Sequence, residues 1–172
     1  MNLRRALAWA FALLTLVGLA GFAPAATAAE SRAAIPSGTY QIGFAASSFG
    51  EVLTEGGAEP GTPALLLPRG QGHQDWLITP NGQGYTIQNA HSGRYLGVES
   101  EPSQHRYAVA SAAPHTWNLV SSPQGDRVRI ASYGPEGEFR LDVSPLLIFP
   151  PRVDVQHARD GIGQDWQLTR VG

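Results

Sequence analysis

The 172-residue sequence has no cysteine and no lysine, and a single methionine. Without cysteine no disulfide framework can form, even in a compartment that would permit one, so stability must come from core packing. Without lysine there is no Schiff-base nucleophile and no phosphate-binding P-loop. Only 15% of residues are charged. Beyond residue 29 ten arginines face fourteen acidic residues, a net charge of −4. That balance argues against nucleic acid and anionic membranes as partners. No helical apolar period is sustained over ten residues after position 29, and no later run is long enough to span a bilayer.

The one long apolar run is at the start. Arg4 and Arg5 precede an uncharged stretch, 6–22, followed by Ala25-Ala26-Thr27-Ala28-Ala29. This order reads as a secretory signal peptide over 1–29, giving an extracellular mature protein. Residues 30–36 then form a short N-terminal segment, and 37–172 suit one domain with one core.

Within that domain the same pattern occurs three times. Trp76-Leu77-Ile78, Trp117-Asn118-Leu119 and Trp166-Gln167-Leu168 are alike. Upstream, Gly38-Thr39-Tyr40-Gln41-Ile42 matches Gly84-Tyr85-Thr86-Ile87 and Asp126-Arg127-Val128-Arg129-Ile130. Ile42, Ile87 and Ile130 stand 45 and 43 residues apart, and Leu53, Leu96 and Leu141 stand 43 and 45 apart. Such a period signals a repeat architecture, here 37–83, 84–126 and 127–172. Alternating apolar residues between Gly- and Pro-rich turns predict four short strands per repeat, at 85–90, 95–99, 107–112 and 116–121 in the second. Twelve strands in three pseudo-symmetric repeats point to an all-β fold, the β-trefoil, a closed barrel capped by three hairpins that hides its edges. The three tryptophans and the isoleucine and leucine sets are the expected core.

Catalytic constellations are missing. His73, His91, His105, His115 and His157 are scattered without metal-ligand spacing. Asp154 and His157 are three apart on a strand, hence on opposite faces. No Gly-x-Ser-x-Gly elbow occurs. The expectation is a monomeric, non-enzymatic binding module without cofactor or metal.

Two resemblances give that module a partner. Gln74-Asp75-Trp76 and Gln164-Asp165-Trp166 resemble the Q-x-W signature of ricin-type trefoil lectins, and Leu141-Asp142-Val143 resembles their sugar-ligating segment. The second repeat has Leu96-Gly97-Val98 and the first has Val52-Leu53-Thr54, so the resemblance implies at most one sugar site, at Asp142. Over the whole mature chain the sequence more closely resembles the β-trefoil serine protease inhibitors first described from mushrooms, peptidase inhibitor family sixty-six, of the shiitake-inhibitor and cospin type. Ile35-Pro36-Ser37-Gly38-Thr39-Tyr40-Gln41-Ile42, Ala64-Leu65-Leu66-Leu67-Pro68, Trp76-Leu77-Ile78-Thr79-Pro80 and Thr116-Trp117-Asn118-Leu119 carry it. The resemblance implies a serine protease as partner, blocked by the 55–62 loop, with Gly56, Gly57, Ala58 and Glu59 at its centre.

An inhibitory loop must be extended and rigid, so that docking costs little order and the segment adds a strand to the cleft. Three glycines predict a loose 55–62 loop. Ser144-Pro145-Leu146-Leu147-Ile148-Phe149-Pro150-Pro151 is the chemical alternative, apolar where turns are normally polar. Its prolines favour extended geometry, and Leu146, Leu147, Ile148 and Phe149 suit a chymotrypsin- or subtilisin-like pocket. Arg69 and Arg94 are trypsin-type baits in turns, each otherwise an ordinary surface charge.

Overall fold

The computed structural model describes residues 31–172, so the expected signal peptide over 1–29 lies outside the described residues. Twelve strands run in chain order: β1 (Gly38–Phe44), β2 (Val52–Thr54), β3 (Leu65–Leu67), β4 (Trp76–Pro80), β5 (Tyr85–Asn89), β6 (Tyr95–Val98), β7 (Arg106–Ser111), β8 (Asn118–Ser121), β9 (Arg127–Gly134), β10 (Gly137–Val143), β11 (Val153–His157) and β12 (Trp166–Arg170). A single 3-10 turn, Ile162–Gln164, precedes β12. No helix among the described residues is long and apolar enough to cross a membrane. The four strands expected over 85–121 appear within two residues of their expected bounds, and Trp117 sits just before β8 rather than opening it.

All pairings are antiparallel. β1 closes on β12 over five residue pairs, from Tyr40↔Arg170 to Phe44↔Trp166. That contact completes a ring of nine strands in the order β12-β9-β10-β11-β7-β6-β5-β4-β1. β2 and β3 hang from β1. β8 pairs with β9 and meets β5 at the Tyr85↔Trp117 bridge, whose two reciprocal N–H to carbonyl bonds are 2.8 Å. β1, β4, β5, β8, β9 and β12 therefore also close a six-stranded barrel. Three hairpins, β2–β3, β6–β7 and β10–β11, cap that barrel as the repeats predict. The hairpins do not meet equivalently: β7 and β11 pair over two residues, Asp154↔Tyr107 and Val155↔Arg106, which links two of them into the nine-strand ring. The short β3 reaches β7 and β11 only by single bridges, Pro63↔Val109 and Leu65↔Arg152. Closure still removes the long free edges that would otherwise template aggregation.

The core is the one the repeat pattern implies. Ile42, Ile87, Ile130, Leu53, Leu96, Leu141, Trp76, Trp117 and Trp166 are all fully buried. Each indole N–H donates to the carbonyl of its own repeat's leucine: Trp76 to Leu53 at 2.9 Å, Trp117 to Leu96 at 2.8 Å and Trp166 to Leu141 at 3.0 Å. Each tryptophan thus fills the interior and satisfies a buried carbonyl at the base of one hairpin. Residues 31–36 are no loose tail. The Ala33 N–H donates to the Leu119 carbonyl, and the Tyr85 hydroxyl bridges the Ala33 carbonyl and the Ile35 N–H.

Candidate functional site

The three hairpins end in loops at 55–64, 99–105 and 144–152, and the first and third carry the expected protease-binding residues. In the first, the tip from Ala58 to Gly61 is exposed, and Gly56 lies so close to the Pro63 carbonyl that a Cβ would stand 1.8 Å from its oxygen. Gly61, at φ +81°, follows Pro60, and the Thr62 N–H returns to the Glu59 carbonyl at 3.2 Å. Pro then Gly at the centre of such a bond is the type II turn pattern.

Three glycines implied a loose loop. Instead, a distant side chain grips it. The Arg94 guanidinium donates to the Gly57 carbonyl at 2.7 Å, to the Ala58 carbonyl, and to the Glu55 carboxylate at 2.8 Å. Glu55 is buried, and it also accepts from the Ser92 hydroxyl at 2.9 Å and meets His73 Nδ1 at 3.3 Å. Arg94 is therefore an internal clamp between the first two repeats, not the free surface charge its turn suggested. Arg69, the other turn arginine, donates to Gln41 Oε1. A cleft of about 340 Å3 lies beside the clamp, lined by Glu55, Gly57, Ala58, His73, Ser92 and Arg94. His73 also packs on His91, the two rings tilted by 33° with centroids 3.8 Å apart.

The third loop has the opposite chemistry. Leu146 is 53% exposed, Leu147 fully exposed, Ile148 40% and Phe149 88%. These are four of the seven large apolar side chains exposed among the described residues. The loop's ends are fixed: the Ser144 N–H donates to the Arg152 carbonyl, the Leu66 N–H to the Pro151 carbonyl, and the Val153 N–H to the Ala64 carbonyl, all at 2.9 Å. Arg152 lies over the Tyr107 ring at 5.4 Å, a cation–π contact. A polar base thus carries an apolar, uncharged crest.

Asp142 sits beneath this loop, on β10, and is buried. Its Oδ2 accepts from Gln164 Nε2 at 2.9 Å and from Arg159 Nη2 at 2.7 Å, while Oδ1 accepts from the Val143 N–H at 2.7 Å. Burial pushes its carboxyl above the usual 3.8; Gln164, Arg159 and the Val143 N–H pull it down, and neighbouring Asp154 pushes it up. Asp154 faces Asp142 across β10 and β11 and is fully buried. One of its oxygens, Oδ2, has no hydrogen-bond partner, with His105 Nδ1 at 3.5 Å, and burial raises its carboxyl as well. Gln74 repeats the role of Gln164 in the first hairpin, donating to the Thr54 hydroxyl and the Pro68 carbonyl. The glutamines of both Q-x-W segments are tied to the fold by these bonds. Among the described residues no group of three or more His, Asp or Glu is placed to hold a metal ion.

The loop clamp and the Arg159–Asp142 pair were not foreseen from the sequence. Each joins segments whose contact only the barrel creates, and an arginine in a turn gives no local signal of a distant partner.

Comparisons place this architecture among known proteins. The family model described as ricin-type beta-trefoil lectin domain-like matches residues 32–104 and 72–144, more than half of the chain. No curated protein matches it. Among solved structures, a ricin B-like lectin of Macrolepiota procera in complex with lactose is 26% identical, with a TM-score of 0.68 over 81% of this chain and 100% of that chain. The Rhizoctonia solani agglutinin is 24% identical, with a TM-score of 0.68 over 82% of this chain and 100% of that one. A proteinase inhibitor from Coprinopsis cinerea is 15% identical, with a TM-score of 0.59 over 80% of this chain and 100% of that one. The latter two likenesses speak to the fold alone. The chain belongs to the ricin-type beta-trefoil lectin domain-like family, and its fold is all-β and trefoil-like.

Proposed function

We propose that this member of the ricin-type beta-trefoil lectin-like family is a secreted, non-catalytic inhibitor of a serine endopeptidase, acting as a monomer through its 144–151 loop. The observation that carries this reading is the exposed apolar crest, Leu146 to Phe149, on a loop whose two ends are hydrogen-bonded to the barrel. Exposed apolar clusters of this kind mark interaction sites, and one carried on a loop tethered at both ends suits a protein cleft. A segment tethered at both ends loses less entropy on docking, and an enzyme cleft reads it through its free main-chain groups and one pocket-filling side chain. The leader at 1–29 delivers the protein to a compartment where such proteases act. The 56–59 segment is the less suitable bait, because Arg94 already binds the Gly57 and Ala58 carbonyls that a cleft would have to read.

Carbohydrate binding is the second reading, favoured by the family and by the lactose-bound relative at 26% identity. It would use Asp142. A sugar hydroxyl would first have to displace Arg159, which occupies Asp142 Oδ2.

The test is a titration of purified mature protein against trypsin, chymotrypsin and subtilisin, run beside a glycan array. Stoichiometric inhibition that disappears when Leu146 to Phe149 are replaced by Gly and Ser, at an unchanged thermal midpoint, supports the inhibitor. Inhibition that survives the swap moves the site to another loop. Glycan binding abolished by Asp142→Ala, without inhibition, establishes the lectin instead.

A further inference from the structure

Resting on the inhibitor reading, we propose that Leu147 is the residue that fills the protease's primary specificity pocket, and that the target is a serine endopeptidase whose pocket takes an aliphatic side chain. Leu147 is the apex of the loop, fully exposed between two half-exposed neighbours. The Ile148 N–H donates to the Leu146 carbonyl at 2.9 Å, so the segment is not extended as its prolines predict but makes a three-residue turn centred on Leu147 that thrusts its side chain outward. That turn occupies the polar groups on either side of Leu147. Among the described residues nothing hydrogen-bonds the N–H or carbonyl of Leu147 itself. Those are the groups a serine protease needs: the carbonyl for the oxyanion hole, the N–H for pairing with the cleft wall.

The neighbours are worse pocket-fillers. Ile148 is the least exposed of the four and branches at Cβ, which stiffens it. Phe149 is exposed, but it precedes Pro150, whose ring crowds the nitrogen that must be protonated as it leaves. No residue from 144 to 151 is charged, and the nearest arginine, Arg152, is laid on Tyr107. A trypsin-like pocket would find no cation.

Slow turnover of the complex should therefore cut one bond. Water adds across Leu147–Ile148: its hydroxyl ends on the Leu147 carbonyl carbon as a new carboxylate, and the Ile148 nitrogen takes the proton as a new amine.

The experiment compares wild type, Leu147→Asp, Leu147→Arg and Phe149→Ala against chymotrypsin, subtilisin and trypsin, with thermal midpoints measured alongside. Mass spectrometry after prolonged incubation locates the cut. Leu147→Asp is expected to weaken inhibition of the first two enzymes by about thirtyfold or more, the scale of a hot-spot residue. Leu147→Arg gains inhibition of trypsin, Phe149→Ala changes affinity by less than about tenfold, and the new amine is at Ile148. If wild type inhibits but Leu147→Asp inhibits equally, or the cut maps elsewhere, the pocket assignment fails and the inhibitor reading stands. If wild type inhibits none of the three enzymes, both fail together.

Discussion

Trp117→Ala probes the tie between core and hairpin. Trp117 is fully buried, its ring stands edge-on to His115 with centroids 4.7 Å apart, and its N–H satisfies the Leu96 carbonyl at 2.8 Å. Truncating a buried tryptophan costs about 3–5 kcal/mol through lost transfer and an unfilled cavity. Stranding the Leu96 carbonyl adds about 1–3 kcal/mol unless water enters. The expected loss is about 4–8 kcal/mol, against a typical domain stability of about 5–15 kcal/mol. At about 3 °C per kcal/mol for a chain of this size, the midpoint should fall by about 12–24 °C. Trp117→Phe keeps most of the volume and loses only the donor, so it should fall by about 3–9 °C. Differential scanning calorimetry reads both, and Trp76→Ala and Trp166→Ala should behave alike because the same bond recurs. A Trp117→Ala protein with the parent's midpoint but no binding would refute the reasoning and make the tryptophan part of the site.

Arg94→Met should destabilise by about 3–5 kcal/mol by leaving the buried Glu55 carboxylate short of its cation. Glu55→Gln in the same chain should recover part of that loss, and amide exchange across residues 57–59 should quicken in the single variant. Burial raises the Asp154 carboxyl above 3.8, so the fold binds that proton more tightly than the unfolded chain does. Its ionisation therefore costs stability above the raised value, and the cost fades as pH falls toward 3.8. Asp154→Asn should raise the midpoint at pH 7 with the gain vanishing near pH 4; an equal gain at both would reject the assignment. Burial lowers the His115 imidazole below 6.5, so its contribution is lost as pH falls from 6.5 through the lowered value. His115→Gln should flatten a thermal-shift profile over that window.

The core was legible because burial in a repeat fold imposes a period. Ile42, Ile87, Ile130 and their leucine and tryptophan counterparts occupy equivalent interior positions, so spacing alone identified them. The crest at 146–149 was legible for the converse reason, since apolar residues in a Pro-bounded turn have no local core to enter. The unequal meeting of the three hairpins was not legible. It depends on β7 meeting β11, a pairing between repeats that no single repeat encodes. The clamp on Gly57 and Ala58 was hidden in the same way, because Arg94 reaches them from 36 and 37 residues away. Asp142 read as a sugar ligand from its neighbours in sequence, while its partners Arg159 and Gln164 arrive from the far side of β11.

The most direct measurement of the central claim is binding to a chymotrypsin- or subtilisin-like enzyme in two forms, one free and one with its active-site serine covalently sulfonylated. A loop that occupies the substrate cleft should bind the free enzyme and lose at least about a hundredfold in affinity for the blocked one. Equal binding to both forms, or to neither, would contradict the account.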